Sequence, residues 1–113
     1  MQTEMEFLYP FHASFLKGFI DLVFRYKGRY YILDWKSNYL GPNREDYSIR
    51  KIEECMNQSG YFLQASIYTV ALKKYLSLFE KQKFESVFGG VIYFFLRGAK
   101  PYLFHPDLKE DFL

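Results

Sequence analysis

Two runs rich in apolar and aromatic residues, 18–26 and 29–36, flank a short break at Lys27-Gly28. Two such runs joined by a glycine-containing pair predict a β-hairpin, because glycine takes the positive φ that a tight turn needs. Any symmetric loop centred on Lys27-Gly28 pairs Tyr26 with Arg29, and counting back from that pair sets Asp21 opposite Asp34. A one-residue bulge would break this register. The strands are apolar at successive positions, the pattern of central strands covered on both faces.

The same pattern places the other elements. Positions 5–9 form a short strand stopped by Pro10, and 11–15 are a connection. Positions 37–47 hold Asn38, Gly41-Pro42, Asn43 and a charged cluster, and predict a mobile loop overhanging the aspartate pair. Positions 50–58 make a weak helix, with a break at Gly60. Positions 61–79 make the strongest helix. Its apolar stripe is Leu63, Ile67, Val70 and Ala71, and Gln64 and Tyr68 lie together on the border of that stripe. A charged connector at 80–85 leads to a continuous apolar strand at 88–96, and 101–104 add an edge strand. A strand–helix–strand order implies a right-handed crossover, so strand 88–96 runs parallel to the Asp34 strand. The sum is one α/β domain over 1–113 with a mixed central β-sheet.

Composition adds limits. A chain of 113 residues fits a single core. Half the residues are hydrophobic and 22% are aromatic, which points to a buried sheet or to surfaces that meet a partner. A net charge of +2 is too small to argue nucleic-acid binding by itself. The single Cys55 excludes an internal disulfide, fits a reducing cytoplasm and is expected as a small buried hydrophobe. No apolar run reaches the length of a membrane span, and no secretory signal opens the chain. His12 and His105 stand alone in loops.

The chemistry concentrates at Asp21, Asp34 and Lys36. Directly opposed side chains on one sheet face have Cβ atoms roughly 5 Å apart. Two ionised carboxylates at that distance repel by roughly 3 kcal/mol at an effective dielectric near 20. The fold tolerates them if one keeps its proton or a cation sits between them. Lys36 lies two residues beyond Asp34 and shares its face. The arrangement therefore suggests a hard-metal site with an ammonium beside it. The alternative is a plain ion pair between Lys36 and one aspartate.

Asp21 followed by Asp34-Trp35-Lys36 resembles the split motif of the PD-(D/E)XK nucleases, an Asp on one strand and Asp-x-Lys on the next. Leu16-Lys17-Gly18-Phe19-Ile20-Asp21-Leu22-Val23-Phe24, Asp34-Trp35-Lys36-Ser37-Asn38-Tyr39-Leu40-Gly41, Gln64-Ala65-Ser66-Ile67-Tyr68 and Phe88-Gly89-Gly90-Val91-Ile92-Tyr93-Phe94-Phe95-Leu96-Arg97-Gly98 extend it. Together they resemble the RecB-type C-terminal nuclease domains of exodeoxyribonuclease V, over residues 16–98. The resemblance implies a restriction-endonuclease-like core. It implies a DNA exonuclease that hydrolyses phosphodiesters during double-strand break repair and recombination. Asp21, Asp34 and the Trp35 backbone carbonyl would hold Mg²⁺, with Mn²⁺ as a substitute, and Lys36 would orient or activate the attacking water. Gln64 and Tyr68 would contact DNA phosphate or steady the site. The implied partners are DNA and RecC- and RecD-type subunits, in the bacterial cytoplasm.

One departure bears on activity. In RecB-type nucleases a histidine from an upstream helix completes the metal site, and that helix is not in this sequence. The chain is therefore expected to be a truncated nuclease domain of a larger helicase–nuclease subunit, weak or inactive in isolation. The second reading is a non-catalytic module that keeps the fold and contacts DNA or partner subunits.

Overall fold

The computed structural model describes residues 5–7 and 22–107. A five-stranded sheet in the order β1-β2-β3-β4-β5 forms the centre. Its strands are β1 (Met5–Phe7), β2 (Leu22–Tyr26), β3 (Arg29–Lys36), β4 (Phe88–Phe95) and β5 (Lys100–Phe104). The hairpin β2–β3 closes as the sequence predicts, with Tyr26 paired to Arg29. Lys27 and Gly28 both take positive φ, 50° and 78°. A turn of that kind matches the twist of the flanking strands. The ladder runs to Leu22 opposite Leu33, its last described pair. Asp21, and with it the Asp21–Asp34 pairing, lies outside the described residues, as does His12.

Between β3 and β4 the chain crosses over through α1 (Ile49–Gln58), α2 (Tyr61–Leu76) and the short α3 (Phe84–Val87). β3 and β4 pair in parallel, with Ile32 beside Val91, Asp34 beside Tyr93 and Lys36 beside Phe95. β5 returns antiparallel on the outer side of β4. The mixed sheet with a crossover from the Asp34 strand to a parallel strand is thus the observed architecture.

Alternate positions of the sheet build the core. Val23, Tyr30, Ile32, Val91, Tyr93 and Phe95 are buried together with Ile52, Cys55 and Met56 of α1. The opposite face stacks Phe24 on Tyr31 and sets Trp35 edge-on to Phe94. On that face Trp35 is 46% and Leu103 58% exposed, so among the described residues the expected covering of both faces holds fully for only one.

α2 turns a different side inward from the one its sequence suggests. The buried positions are Ala65, Tyr68, Thr69, Leu72 and Leu76, while Leu63 and Ile67 are more than half exposed. Apolar residues ring this helix, so hydrophobic periodicity does not select a face. Two hydroxyl residues lie on the true inner face, and Thr69 satisfies its own by donating to the Ala65 carbonyl at 2.7 Å. The rotation carries Gln64 and Tyr68 from the border toward the sheet.

The 37–47 segment is folded down rather than loose. Arg44–Tyr47 forms a 3₁₀ turn. Tyr47 is buried, accepts from the Leu40 N–H at 3.2 Å and donates to the Asn38 carbonyl at 3.3 Å. Asp46 accepts from the Asn43 N–H at 2.9 Å and from Lys51 at 3.0 Å. Arg97 Nε donates to the Ser37 carbonyl at 2.7 Å. The sequence cues of Gly and Pro mark a change of direction here, and four side chains then fix it.

The hydrogen bond from the Asn43 backbone, then Lys51, holds the Asp46 carboxyl below its usual 3.8. A depressed carboxyl stabilises the fold at pH above its unfolded value, and that contribution disappears as pH falls through the lowered folded value. Amide exchange should therefore show the Asn43 N–H protected near neutral pH and losing protection only once pH falls below 3.8. Asp46→Ala should remove the difference between the two conditions.

Candidate active site

The site lies at the end of β3, where the strand emerges beneath the first turns of α2. Strand alternation points Asp34 and Lys36 to the same, helix-covered face. Asp34 is 5% exposed. Lys36 Nζ stands 3.2 Å from Asp34 Oδ2, and their side chains are 13% and 7% exposed. A pair this dry holds its charges only because each is compensated.

Lys36 also donates to Gln64 Oε1 at 3.2 Å. The same amide oxygen accepts from the Tyr93 hydroxyl at 3.0 Å. Both lone pairs of Oε1 are then in use, and the Gln64 NH₂ faces away from the ammonium. Tyr93, the parallel neighbour of Asp34, also reaches the Tyr61 carbonyl at 3.0 Å, so its single hydrogen is shared between two acceptors. Burial first, then the nearby Asp34 charge, pushes the Tyr93 hydroxyl well above its usual 10.0. It therefore stays protonated and serves as a donor across the working pH range.

Aromatic faces complete the enclosure. Lys36 Nζ lies 4.0 Å from the Tyr61 ring centroid and 5.4 Å from that of Tyr93. The two rings stack at 5.7 Å, 9° from parallel. Tyr61 Oη donates to Asn38 Oδ1 at 3.1 Å, tying α2 to the segment that follows β3.

Of the residues expected from sequence, Asp34, Lys36 and Gln64 come together. Tyr68 sits one turn further along α2, buried in the core. Trp35 turns its side chain to the opposite face, leaving only its backbone to serve the site. Past Leu33, β3 pairs only with β4 among the described residues. No group of three His, Cys, Asp or Glu gathers among the described residues. The donors at hand, a carboxylate and a backbone carbonyl, are hard oxygens and suit a cation of the Mg²⁺ type rather than a soft metal.

Tyr61 and Tyr93 were not expected at the site. Tyr61 precedes Gln64 by one helical turn, which puts them on one side of α2 and is a signal available in the sequence. Tyr93 owes its place to the parallel register between β3 and β4, which the sequence alone does not set.

Comparison with known proteins is specific. Residues 1–111 match the family described as the PD-(D/E)XK nuclease superfamily. The chain is 51% identical over 85 residues to the RecBCD enzyme subunit RecB of Escherichia coli (strain K12), covering 74% of this chain and 7% of that protein. It is 45% identical over 84 residues to RecBCD enzyme subunit RecB of Borreliella burgdorferi, covering 74% of this chain and 7% of that protein. The RecBCD enzyme subunit RecB of Chlamydia pneumoniae is 38% identical over 95 residues, covering 84% of this chain and 9% of that protein. The chain thus spans about 7% of the length of the first of these relatives.

Proposed function

Since the chain belongs to the PD-(D/E)XK nuclease superfamily, we propose that it is the nuclease part of an exodeoxyribonuclease V-type subunit and hydrolyses DNA phosphodiesters. The observation that carries this reading is the Lys36 ammonium fixed between Asp34 and Gln64 at 3.2 Å from each. Asp34, Asp21 and the Trp35 carbonyl are the proposed ligands of Mg²⁺, or of Mn²⁺ in its place. A bound divalent cation would supply Lewis-acid stabilisation of the charge that develops on the phosphate.

The chain's own residues supply the rest. Water adds to phosphorus, the P–O ester bond breaks, and the departing oxygen takes a proton. Lys36 donates a hydrogen bond to the attacking water or to a non-bridging phosphate oxygen, where negative charge grows. Gln64 presents its NH₂ outward as a second neutral donor for phosphate, while Tyr68 supports α2 from the core. The buried Asp34 keeps the ammonium from swinging out to solvent.

RecBCD enzyme subunit is the name carried by the matching relatives. We extend it to this protein as a proposal: DNA as substrate, RecC- and RecD-type subunits as partners, and the bacterial cytoplasm as location. The more than half exposed Leu63 and Ile67 on α2 support a further packing partner on that side. No described helix is long and apolar enough to cross a membrane. The direct test is Mg²⁺-dependent cleavage of linear DNA by the full-length subunit in its complex, with EDTA abolishing and Mn²⁺ restoring the signal. Cleavage that survives EDTA would overturn the metal-dependent reading.

A further inference from the structure

We propose that Tyr61 and Tyr93 are positioning residues for Lys36. The face of the Tyr61 ring holds the ammonium in place, and the Tyr93 hydroxyl fixes the Gln64 amide so that its oxygen faces that ammonium. The inference rests on the roles given above to Asp34 and Lys36, and it adds residues that the stretches Asp34-Trp35-Lys36 and Gln64-Ala65-Ser66-Ile67-Tyr68 do not contain.

A lysine head swings on four rotatable bonds, so fixing it takes contacts from several directions. Here Asp34 holds it through charge, Gln64 through a hydrogen bond and Tyr61 through its ring face at 4.0 Å, inside the range of cation–π attraction. Tyr61 is itself held at both ends: its ring stacks on Tyr93, and its hydroxyl bonds Asn38. The Gln64 amide has two ends of similar shape. Turned over, it would set an NH₂ donor against the ammonium. The ammonium has only hydrogens to offer and so selects Oε1, and the Tyr93 hydroxyl holds that oxygen in place by donating to it at 3.0 Å.

The two tyrosines separate by substitution. Tyr61→Phe keeps the ring and loses only the Asn38 bond, whereas Tyr61→Leu loses the ring. Tyr93→Phe keeps the stack and loses the hydroxyl. In the full-length subunit in its complex, Tyr61→Leu and Tyr93→Phe should each lower kcat for DNA cleavage about tenfold, with KM unchanged within about twofold. Tyr61→Phe should stay within about threefold of wild type.

A readout independent of chemistry comes from the 113-residue chain labelled with ¹³C at lysine Cε. Ring current from Tyr61 should shift the Lys36 ε-methylene protons upfield in the wild type and in Tyr61→Phe, and the shift should collapse in Tyr61→Leu. A Tyr61→Leu protein with wild-type kcat, or with an unshifted Lys36 resonance already in the wild type, overturns the role of Tyr61. Equal losses in Tyr61→Phe and Tyr61→Leu overturn it as well, since the Asn38 tether would then be what matters. Wild-type kcat in Tyr93→Phe overturns the role of Tyr93. Asp34→Asn measured alongside keeps the two readings apart. If it cleaves normally, the catalytic role given to Asp34 and Lys36 fails, while the resonance shifts still decide whether the aromatic enclosure holds Lys36.

Discussion

Asp34→Asn is expected to lower DNA cleavage by at least about a thousandfold. The substitution preserves shape and one oxygen acceptor but removes the negative charge. On the proposed reading two functions depend on that charge: holding a divalent cation, and holding the Lys36 ammonium, which stands at 3.2 Å in a nearly dry position. Breaking a buried ion pair outright costs about 3–5 kcal/mol because the remaining charge is stranded. With asparagine in place of Asp34 that cost falls to about 1–2 kcal/mol, since an amide oxygen, Gln64 and the Tyr61 ring still receive the ammonium. The protein should therefore remain folded and bind DNA while ceasing to cut it.

The control is Asp46→Asn, which also breaks a carboxylate–lysine contact, at 3.0 Å to Lys51, but away from Lys36. It should leave cleavage unchanged. Cleavage, DNA binding by fluorescence anisotropy and thermal unfolding in metal-free buffer together separate the possibilities. Residual cleavage within about tenfold of wild type would remove Asp34 from the reacting centre. Loss of folding in Asp34→Asn would make its role structural and leave the plain ion pair as the better account.

The hairpin and the motif strand were legible because their signals are local. Lys27-Gly28 fixes a two-residue turn, and strict alternation then decides that Asp34 and Lys36 share a face. The parallel partner of β3 was legible from connectivity, since a helical crossover leaves few alternatives. The inward face of α2 was not, because Leu63 and Ile67 look more apolar than Tyr68 and Thr69, which are buried instead. Burial there follows the shape of the sheet beneath the helix and the satisfied hydroxyl of Thr69, not hydropathy. The enclosure around Lys36 was hidden for a related reason. Tyr93 comes beside Asp34 through the β3–β4 register, and Tyr61 reaches Lys36 only once α2 is docked. The segment 37–47 reads as mobile in the sequence because Gly41-Pro42 signals a turn without saying what ties it down. Tyr47 does so from the segment's own 3₁₀ turn, and Arg97 from just beyond β4.

Gly98→Ala is expected to destabilise the protein by about 1–3 kcal/mol, the usual range for forcing extra volume into a packed site. A Cβ at Gly98 would stand 2.2 Å from Tyr47 Cγ and 2.6 Å from its Cδ1, far inside contact distance. Those atoms belong to the fixed inner part of a buried ring rather than to a flexible tip, so the ring must move as a whole. Its hydroxyl then leaves the Leu40 N–H and the Asn38 carbonyl. Asn38 is also the acceptor for Tyr61, so the disturbance reaches the residue that faces Lys36. Gly98→Ala should thus lower the melting temperature by roughly 5–10 °C. It should also raise amide exchange at Leu40, whose N–H bonds the Tyr47 hydroxyl. Tyr47→Phe isolates the hydroxyl: it should raise the same exchange while costing only about 1 kcal/mol of stability. Gly28→Ala sets the scale for backbone effects, because nothing lies within 4 Å of a Cβ there and only the φ of +78° resists the change. If Gly98→Ala is as stable as wild type, the ring of Tyr47 has room to yield. The clasp from β4–β5 onto the segment beside Lys36 would then be looser than its contacts indicate.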